Sequence, residues 1–133
     1  MATTTATLTL SSADLTGDQL ALTTISTLSK AGTATGLSET SGVGRKTTSA
    51  TAQYVLFDGN AYVANGAHKV YLKNTSSTSS EFFTVSINSE EIGRIYAGDW
   101  AFLPWGAHDT DNDIKITPSV DTTMTLEYML ISQ

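Results

Sequence analysis

The sequence predicts an all-β fold: an antiparallel β-sandwich, jelly-roll-like, with an extended N-terminal arm. Three observations predict it. Thr and Ser make up about 29% of the 133 residues, and β-branched Thr favours extended backbone over helix. No stretch repeats apolar residues at three- and four-residue spacing over two helical turns. From residue 53 onward, short runs of alternating apolar and polar residues recur at about 8–12 residue intervals with turn-forming residues between them, the pattern of a two-sheet stack.

The arm comes first, as residues 1–52. Every aromatic residue lies at or beyond Tyr54, so this part lacks the side chains that fill a core most efficiently. Its charges cancel over residues 1–50: Asp14, Asp18 and Glu39 against Lys30, Arg45 and Lys46. Leu8 and Leu10 alternate with Thr, then Asp14, Gly17 and Asp18 mark a turn. Leu20 and Leu22 resume the apolar spacing. One or two strands follow, with apolar faces that need cover from elsewhere. The stretch KAGTATGLSETSGVGRKTTS, from Lys30 to Ser49, reads as a loop or extended arm rich in Gly and small polar residues.

The body, residues 53–133, carries the whole formal charge of −6. Strands are expected at Gln53–Phe57, Ala61–Ala64, His68–Lys73, Glu81–Ile87, Glu90–Tyr96, Trp100–Leu103, Asp113–Thr117 and Thr123–Ile131. Asp58-Gly59-Asn60, Asn65-Gly66, Asn88-Ser89 and Gly98-Asp99 supply turns between several of them. Val70 and Leu72 face one way and Lys69, Tyr71 and Lys73 the other, and Leu126, Tyr128 and Leu130 alternate with Thr125, Glu127 and Met129. Alternation with one wet face is what antiparallel sheets produce. Asn88-Ser89 between Ile87 and Glu90 fits a tight hairpin.

Composition excludes several kinds of chemistry. With no cysteine there is no disulfide scaffold, thiolate nucleophile or Cys-ligated metal. A pI near 4.6 is wrong for a nucleic-acid binder, which needs a basic face. No apolar run approaches the ~20 residues of a membrane span, and MATTTATLTLSS lacks the basic and apolar regions of a signal peptide. Asp109, Asp111 and Asp113 stand two apart, a spacing that can converge on a calcium ion. However, Ile114 follows where an EF-hand has Gly, and Val120 stands at the twelfth position, so a solvated acidic loop is the simpler reading. Gly42-Val43-Gly44-Arg45-Lys46-Thr47 resembles a phosphate loop only superficially, because Arg45 separates Gly44 from Lys46 and no βαβ context surrounds it. His68 and His108 are the two histidines, no Gly-x-Ser-x-Gly elbow occurs, and Glu90 and Glu91 point to opposite faces of one strand. The expectation is a non-enzyme with no cofactor and no resident metal.

Contact chemistry is better represented. Trp100, Phe102, Pro104 and Trp105 lie in Gly98-Asp99-Trp100-Ala101-Phe102-Leu103-Pro104-Trp105 and suit either closure of the core or a subunit contact. An exposed tryptophan could instead stack on a sugar ring, which keeps a glycan-binding module as an alternative. Arg45 and Lys46 form the chain's adjacent basic pair and could anchor the arm on an acidic neighbour. Asn74-Thr75-Ser76 matches a glycosylation sequon, but with no secretion signal it reads as a polar turn.

The segments KVYLKN (Lys69–Asn74), FFTVSI (Phe82–Ile87), EEIGRIYAGDWAFLPW (Glu90–Trp105), ITPS (Ile116–Ser119) and TLEYMLI (Thr125–Ile131), with LTLSSADLTGDQLALT near the N-terminus, resemble small virion proteins of tailed bacteriophages, cyanophages in particular. The resemblance implies a structural role in the particle, assembled in the host cytoplasm, and brings no catalytic residues with it. The expected role is a capsid cement or decoration protein that binds the major capsid protein and copies of itself, as a homotrimer. A tail, neck or fibre component is the alternative within the same particle.

Overall fold

The computed structural model describes residues 2–15, 17–108 and 111–133. It is all-β, and its antiparallel sheets pack together as a sandwich. Eleven strands are described: β1 (Thr5–Ser12), β2 (Leu20–Thr27), β3 (Glu39–Thr40), β4 (Gly44–Thr48), β5 (Tyr54–Phe57), β6 (His68–Asn74), β7 (Phe82–Ile87), β8 (Glu90–Tyr96), β9 (Trp100–Trp105), β10 (Ile114–Pro118) and β11 (Met124–Ser132). One sheet has the order β5-β10-β7-β8. In the other, β11 pairs with β6, which pairs with β9, while β3 and β4 share the far side of β11. From β4 to β11 the chain changes sheet at every step except the β7–β8 hairpin. That winding is the jelly roll. Among the described residues no helix is long and apolar enough to cross a membrane.

Alternation builds the core. His68, Val70, Leu72 and Asn74 of β6 point inward, and Lys69, Tyr71 and Lys73 between them are only partly covered. Facing them from the other sheet are Phe83 and Val85 of β7, Ile95 of β8, and Ile114 and Ile116 of β10. Met124, Leu126 and Leu130 of β11 complete the inner layer with Trp105. Asn74 is fully buried yet satisfied. Its amide donates to the carbonyls of Glu81 (3.2 Å) and Ile95 (3.1 Å), and its Oδ1 accepts from the Ser76 N–H at 2.9 Å. The residue therefore ties β6 to the opposite sheet, in a place where an unpaired amide would cost about 1–3 kcal/mol. The same burial withdraws Asn74 from the glycosylation reading.

Two expectations about elements need correction. Ala61–Ala64 is not a strand. Asp58 accepts a hydrogen bond from the Asn60 N–H at 2.9 Å and starts a 3-10 turn over Gly59–Ala61. Asn65 then takes a left-handed φ of 58°. Turn chemistry at both ends leaves too few residues for extended pairing. Conversely, the stretch read as a loop, Lys30 to Ser49, contains β3 and β4, and the jelly roll begins there. Ser41 bridges the gap between the two: its N–H donates to the Leu130 carbonyl at 3.0 Å and its Oγ accepts from the Leu130 N–H at 2.9 Å. Gly44 starts β4 against the Tyr128 ring; a Cβ there would lie 2.7 Å from the ring and displace it.

The N-terminal β1–β2 hairpin is different. Its two strands pair over eight residues, Thr5↔Thr27 to Ser12↔Leu20, and form a ladder with no strand of the sandwich. Among the described residues, the packing that joins it to the sandwich is at its base. Leu28 and Leu37 bury Ile131 on the outer face of β11, with Ala6 and Met129 packed alongside. The Leu28 N–H donates to the Thr4 carbonyl at 2.9 Å, and the Gln133 side chain accepts from the Ala31 N–H at 2.8 Å.

Candidate functional site

Cross-strand register lays out the outer face of the β11-β6-β9 sheet as rows. Trp100 stands opposite Lys73, which stands opposite Glu127, and Glu127 faces Arg45 of β4. The next row runs Phe102, Tyr71, Met129, and the third runs Pro104, Lys69, Ile131. Glu127 is the polar centre of this face. It accepts from the Tyr71 hydroxyl at 3.2 Å and lies 3.8 Å from the Arg45 guanidinium. Partial burial first, and then Glu127, pushes the Tyr71 hydroxyl above its ordinary value of 10.0.

The hairpin base holds its own strands above this face and leaves an open cleft of about 560 Å3 between them. Ala6, Leu8, Thr24 and Ser26 line the hairpin side, and Tyr71, Lys73, Trp100 and Phe102 line the sheet side. Period-2 geometry puts Ala6, Leu8 and Leu10 on the same hairpin face, with Leu20 and Leu22 across from them. Toward the tip that face loses its cover: Leu10 and Leu22 are exposed, as is Leu15 in the connection between the strands.

A second cleft, about 350 Å3, opens at the side of the sandwich between β8 and β9, the edge strands of the two sheets. Its lining includes Ile92, Ile95, Arg94 and Leu103. Ile92 is there because of a bulge. Val85 pairs with Gly93 and Ser86 with Glu91, so Ile92 is the extra residue, and a bulge re-aims the side chain it carries. Trp100 lines both clefts and forms the ridge between them. The charged residues lining the two clefts are Lys73 and Arg94, and Arg94 is paired with Glu91 at 3.3 Å.

The residues singled out from sequence separate sharply here. Trp100 is 55% exposed and Phe102 and Pro104 are exposed beside it, so these three share one accessible edge. Trp105 does not belong with them. It is 2% exposed, packs against Phe57, Tyr62 and His68, and its indole N–H donates to the Asn112 carbonyl at 2.6 Å. A contact or sugar-stacking role for Trp105 is therefore overturned. Alternation explains this: Trp100, Phe102 and Pro104 share the outer face, and Trp105 shares the inner face with Leu103 and Ala101.

Arg45 and Lys46 also part company. Arg45 points outward to Glu127, while the Lys46 amine lies 5.4 Å from the centre of the Tyr54 ring. As neighbours on a strand they cannot act as one basic patch. In the acidic loop, Asp109 lies outside the described residues. Asp111 is exposed. Asp113 accepts from the Gly59 N–H at 2.8 Å and sits 3.8 Å from the Lys115 amine. No cluster of three or more His, Asp or Glu residues capable of holding a metal occurs among the described residues.

His68 gains a role that its place at a strand start did not reveal. It is fully buried between Tyr62 and Trp105. Its Nε2 lies 2.8 Å from the Val63 carbonyl, which can only accept, so the proton sits on Nε2. Nδ1 has no partner among the described residues. The ring fastens the 58–67 connection to the core, and a Cβ at Gly66 would come within 2.5 Å of it. Comparison of the chain with protein-family models, curated proteins and solved structures finds no match.

Proposed function

We propose that this chain is a non-enzymatic structural protein of a tailed-phage virion: a capsid cement or decoration protein that binds the major capsid protein and copies of itself. The observation that carries the reading is the β1–β2 hairpin, anchored at its base, with an uncovered apolar face beside the exposed Trp100–Phe102 edge. A projecting two-stranded ribbon is marginal in water by itself. It makes physical sense as an element completed by a neighbour.

Further support comes from where the resembling segments fall. KVYLKN lies in β6, FFTVSI forms β7, EEIGRIYAGDWAFLPW spans β8 to β9, and TLEYMLI lies in β11. The likeness thus follows the strands of the sandwich and includes the Trp100 edge. Jelly rolls recur as capsid domains, and also as lectins and cupins, so the winding by itself does not choose among these. A cement protein would tie neighbouring capsid subunits together through weak contacts repeated many times.

The test is the copy number of this chain in purified particles, by quantitative mass spectrometry. The cement role predicts a number comparable to that of the major capsid protein. A number fitting a single ring or fibre would move the chain to the tail or neck. Absence from the particles would overturn the virion reading and favour sugar binding at Trp100, which titration with oligosaccharides would then test.

A further inference from the structure

We propose that the cleft between the hairpin and the β11-β6-β9 sheet binds a saccharide that carries a carboxylate, its ring on the platform of Trp100, Phe102 and Tyr71 and its carboxylate on the Lys73 amine. The proposal goes beyond the assembly role and does not rest on it. The cleft measures about 560 Å3, within the range of small-molecule sites. Its floor is a block of four register neighbours: Trp100 opposite Lys73, and Phe102 opposite Tyr71. Strand geometry makes that block roughly 5 by 7 Å, the footprint of a single hexose ring. Three of its four side chains are aromatic, and the C–H face of a sugar ring packs on such a surface.

The polar groups of this cleft are open to a ligand. Lys73 is half-buried and, among the described residues, is the one charged residue in the lining. Its amine makes no ion pair among the described residues. The carboxylate of its register neighbour Glu127 accepts instead from the Tyr71 hydroxyl at 3.2 Å and lies 3.8 Å from the Arg45 guanidinium. The Trp100 indole N–H and the Thr24 and Ser26 hydroxyls also meet no partner among the described residues. The three rows of the outer face hold Arg45, Lys69 and Lys73 against a single acid, Glu127, in a chain of net charge −6. An unpaired cation on a locally positive face favours an anionic group.

The facing wall adds alcohols. Thr24 stands across from Leu8 and Ser26 across from Ala6, so both hydroxyls share the hairpin face that looks onto the platform. This wall belongs to the fastened half of the hairpin, since Ala6 packs with Leu28, Leu37 and Ile131. The combination narrows the ligand. An alkyl chain would bury the amine, the indole N–H and the hydroxyls without partners, which is costly. A bare inorganic anion would leave three aromatic faces unused. A nucleic-acid strand needs a row of cations along its phosphates, and this lining has one. A sugar acid uses all three kinds of surface: its C–H face meets the rings, its hydroxyls meet Thr24, Ser26 and the indole N–H, and its carboxylate meets Lys73.

The experiment is calorimetric titration of the full chain with trigalacturonic acid and with sialyllactose. Each is run beside an uncharged counterpart, the methyl-esterified trisaccharide and lactose. Trp100 emission gives a second readout, because the other tryptophan, Trp105, is buried. The expected result is saturable binding of at least one acid, weaker by at least about tenfold for its uncharged counterpart and in Lys73→Gln, the scale of one charge-assisted hydrogen bond. Trp100→Ala should weaken the acid and its counterpart by a similar factor. Val55→Ser, on the exposed edge strand β5 of the other sheet, should weaken neither. Circular dichroism and a melting curve establish that each variant folds. No binding of either acid at millimolar concentration overturns the proposal, as does a counterpart that binds as tightly as its acid, or acid binding indifferent to Trp100→Ala. Tighter binding of uridine monophosphate than of either acid overturns it in favour of a nucleotide. Copy number in particles is read separately, so failure of either result leaves the other standing.

Discussion

The hairpin and the sandwich are written in the same alphabet of alternating Leu and Thr, yet they end in opposite states. In β11, Leu126 and Leu130 alternate with Thr125 and Met129, and both leucines are buried under the facing sheet. In β1, Leu8 and Leu10 alternate with Thr7 and Thr9; Leu8 is only half-buried over the open cleft and Leu10 is exposed. Alternation specifies which face wants cover; it does not supply the cover. Aromatic residues make the difference. Phe57, Phe83 and Trp105 fill the sandwich, whereas residues 1–53 contain none. A region with strand pattern and no aromatic filling is a strand in search of another surface.

The sharpest way to break this comparison is to truncate one leucine in each region. Leu72→Ala should destabilise the chain by about 2–5 kcal/mol, the cost of an unfilled core cavity, whereas Leu10→Ala should stay within ~0.5 kcal/mol in dilute solution. Chemical denaturation of both variants measures the contrast. Equal losses would mean that the hairpin is part of the cooperative core.

The two tryptophans give the next contrast. Trp105→Phe removes the indole donor from the half-buried Asn112 carbonyl and should cost about 1–3 kcal/mol. Trp100→Phe should leave melting unaltered within ~0.5 kcal/mol, since the side chain is mostly in solvent. Sequence placed both residues in one contact block. The alternation from Trp100 to Trp105 already contained the distinction, because an odd separation of five puts them on opposite faces of a straight strand.

Leu37→Ala should come next, at about 1–3 kcal/mol. Leu37 belongs to the small cluster that holds the hairpin base, so its loss should speed amide exchange in β1 and β2 more than in β6. Exchange that rises equally in β6 would show that the small cluster is continuous with the main core.

Legibility followed the same physical line. The strands of the body were readable because buried and half-buried residues alternate in them and turn residues separate them, as in His68–Asn74. β4 was not readable. Its sequence, Gly-Arg-Lys-Thr-Thr, has no apolar residue, and its place depends on backbone pairing with β11 together with Thr48, whose hydroxyl donates to the Met124 carbonyl at 3.4 Å. Edge strands that pair through the backbone carry little side-chain signal. Of the candidate site, composition and spacing marked Trp100, Phe102, Pro104 and Trp105 as one block and did not separate the buried Trp105 from the three exposed residues. The contribution of Ile92 was not, since it depends on a bulge that only the β7–β8 register reveals.

The smallest expected effects are pH-dependent and separate the two ends of the titration. The Asp121 carboxylate accepts from the Thr51 hydroxyl at 2.7 Å and from its N–H at 2.6 Å, and these bonds hold its pKa below 3.8. A lowered carboxylate favours the folded state above its unfolded value, and that contribution fades as pH falls through the folded pKa. Asp121→Asn should flatten this acid limb of the stability curve. Tyr71 works in the other direction. Its raised pKa favours the folded state below pH 10 and that contribution is lost as pH rises further, through the folded value. Glu127→Gln should bring the Tyr71 phenolate transition, followed by ultraviolet absorbance, back toward 10.0. An unchanged transition would mean that Glu127 has no hold on the cleft floor.

The central claim is that the hairpin is an arm completed by a neighbour. Hydrogen exchange of the β1 and β2 amides, read in dilute monomer and again in the assembled state, tests it most directly. The account predicts fast exchange in the monomer, far below the protection of β6 and β11, and strong protection of the same amides on assembly. Hairpin amides as protected in the dilute monomer as those of β6 would contradict it.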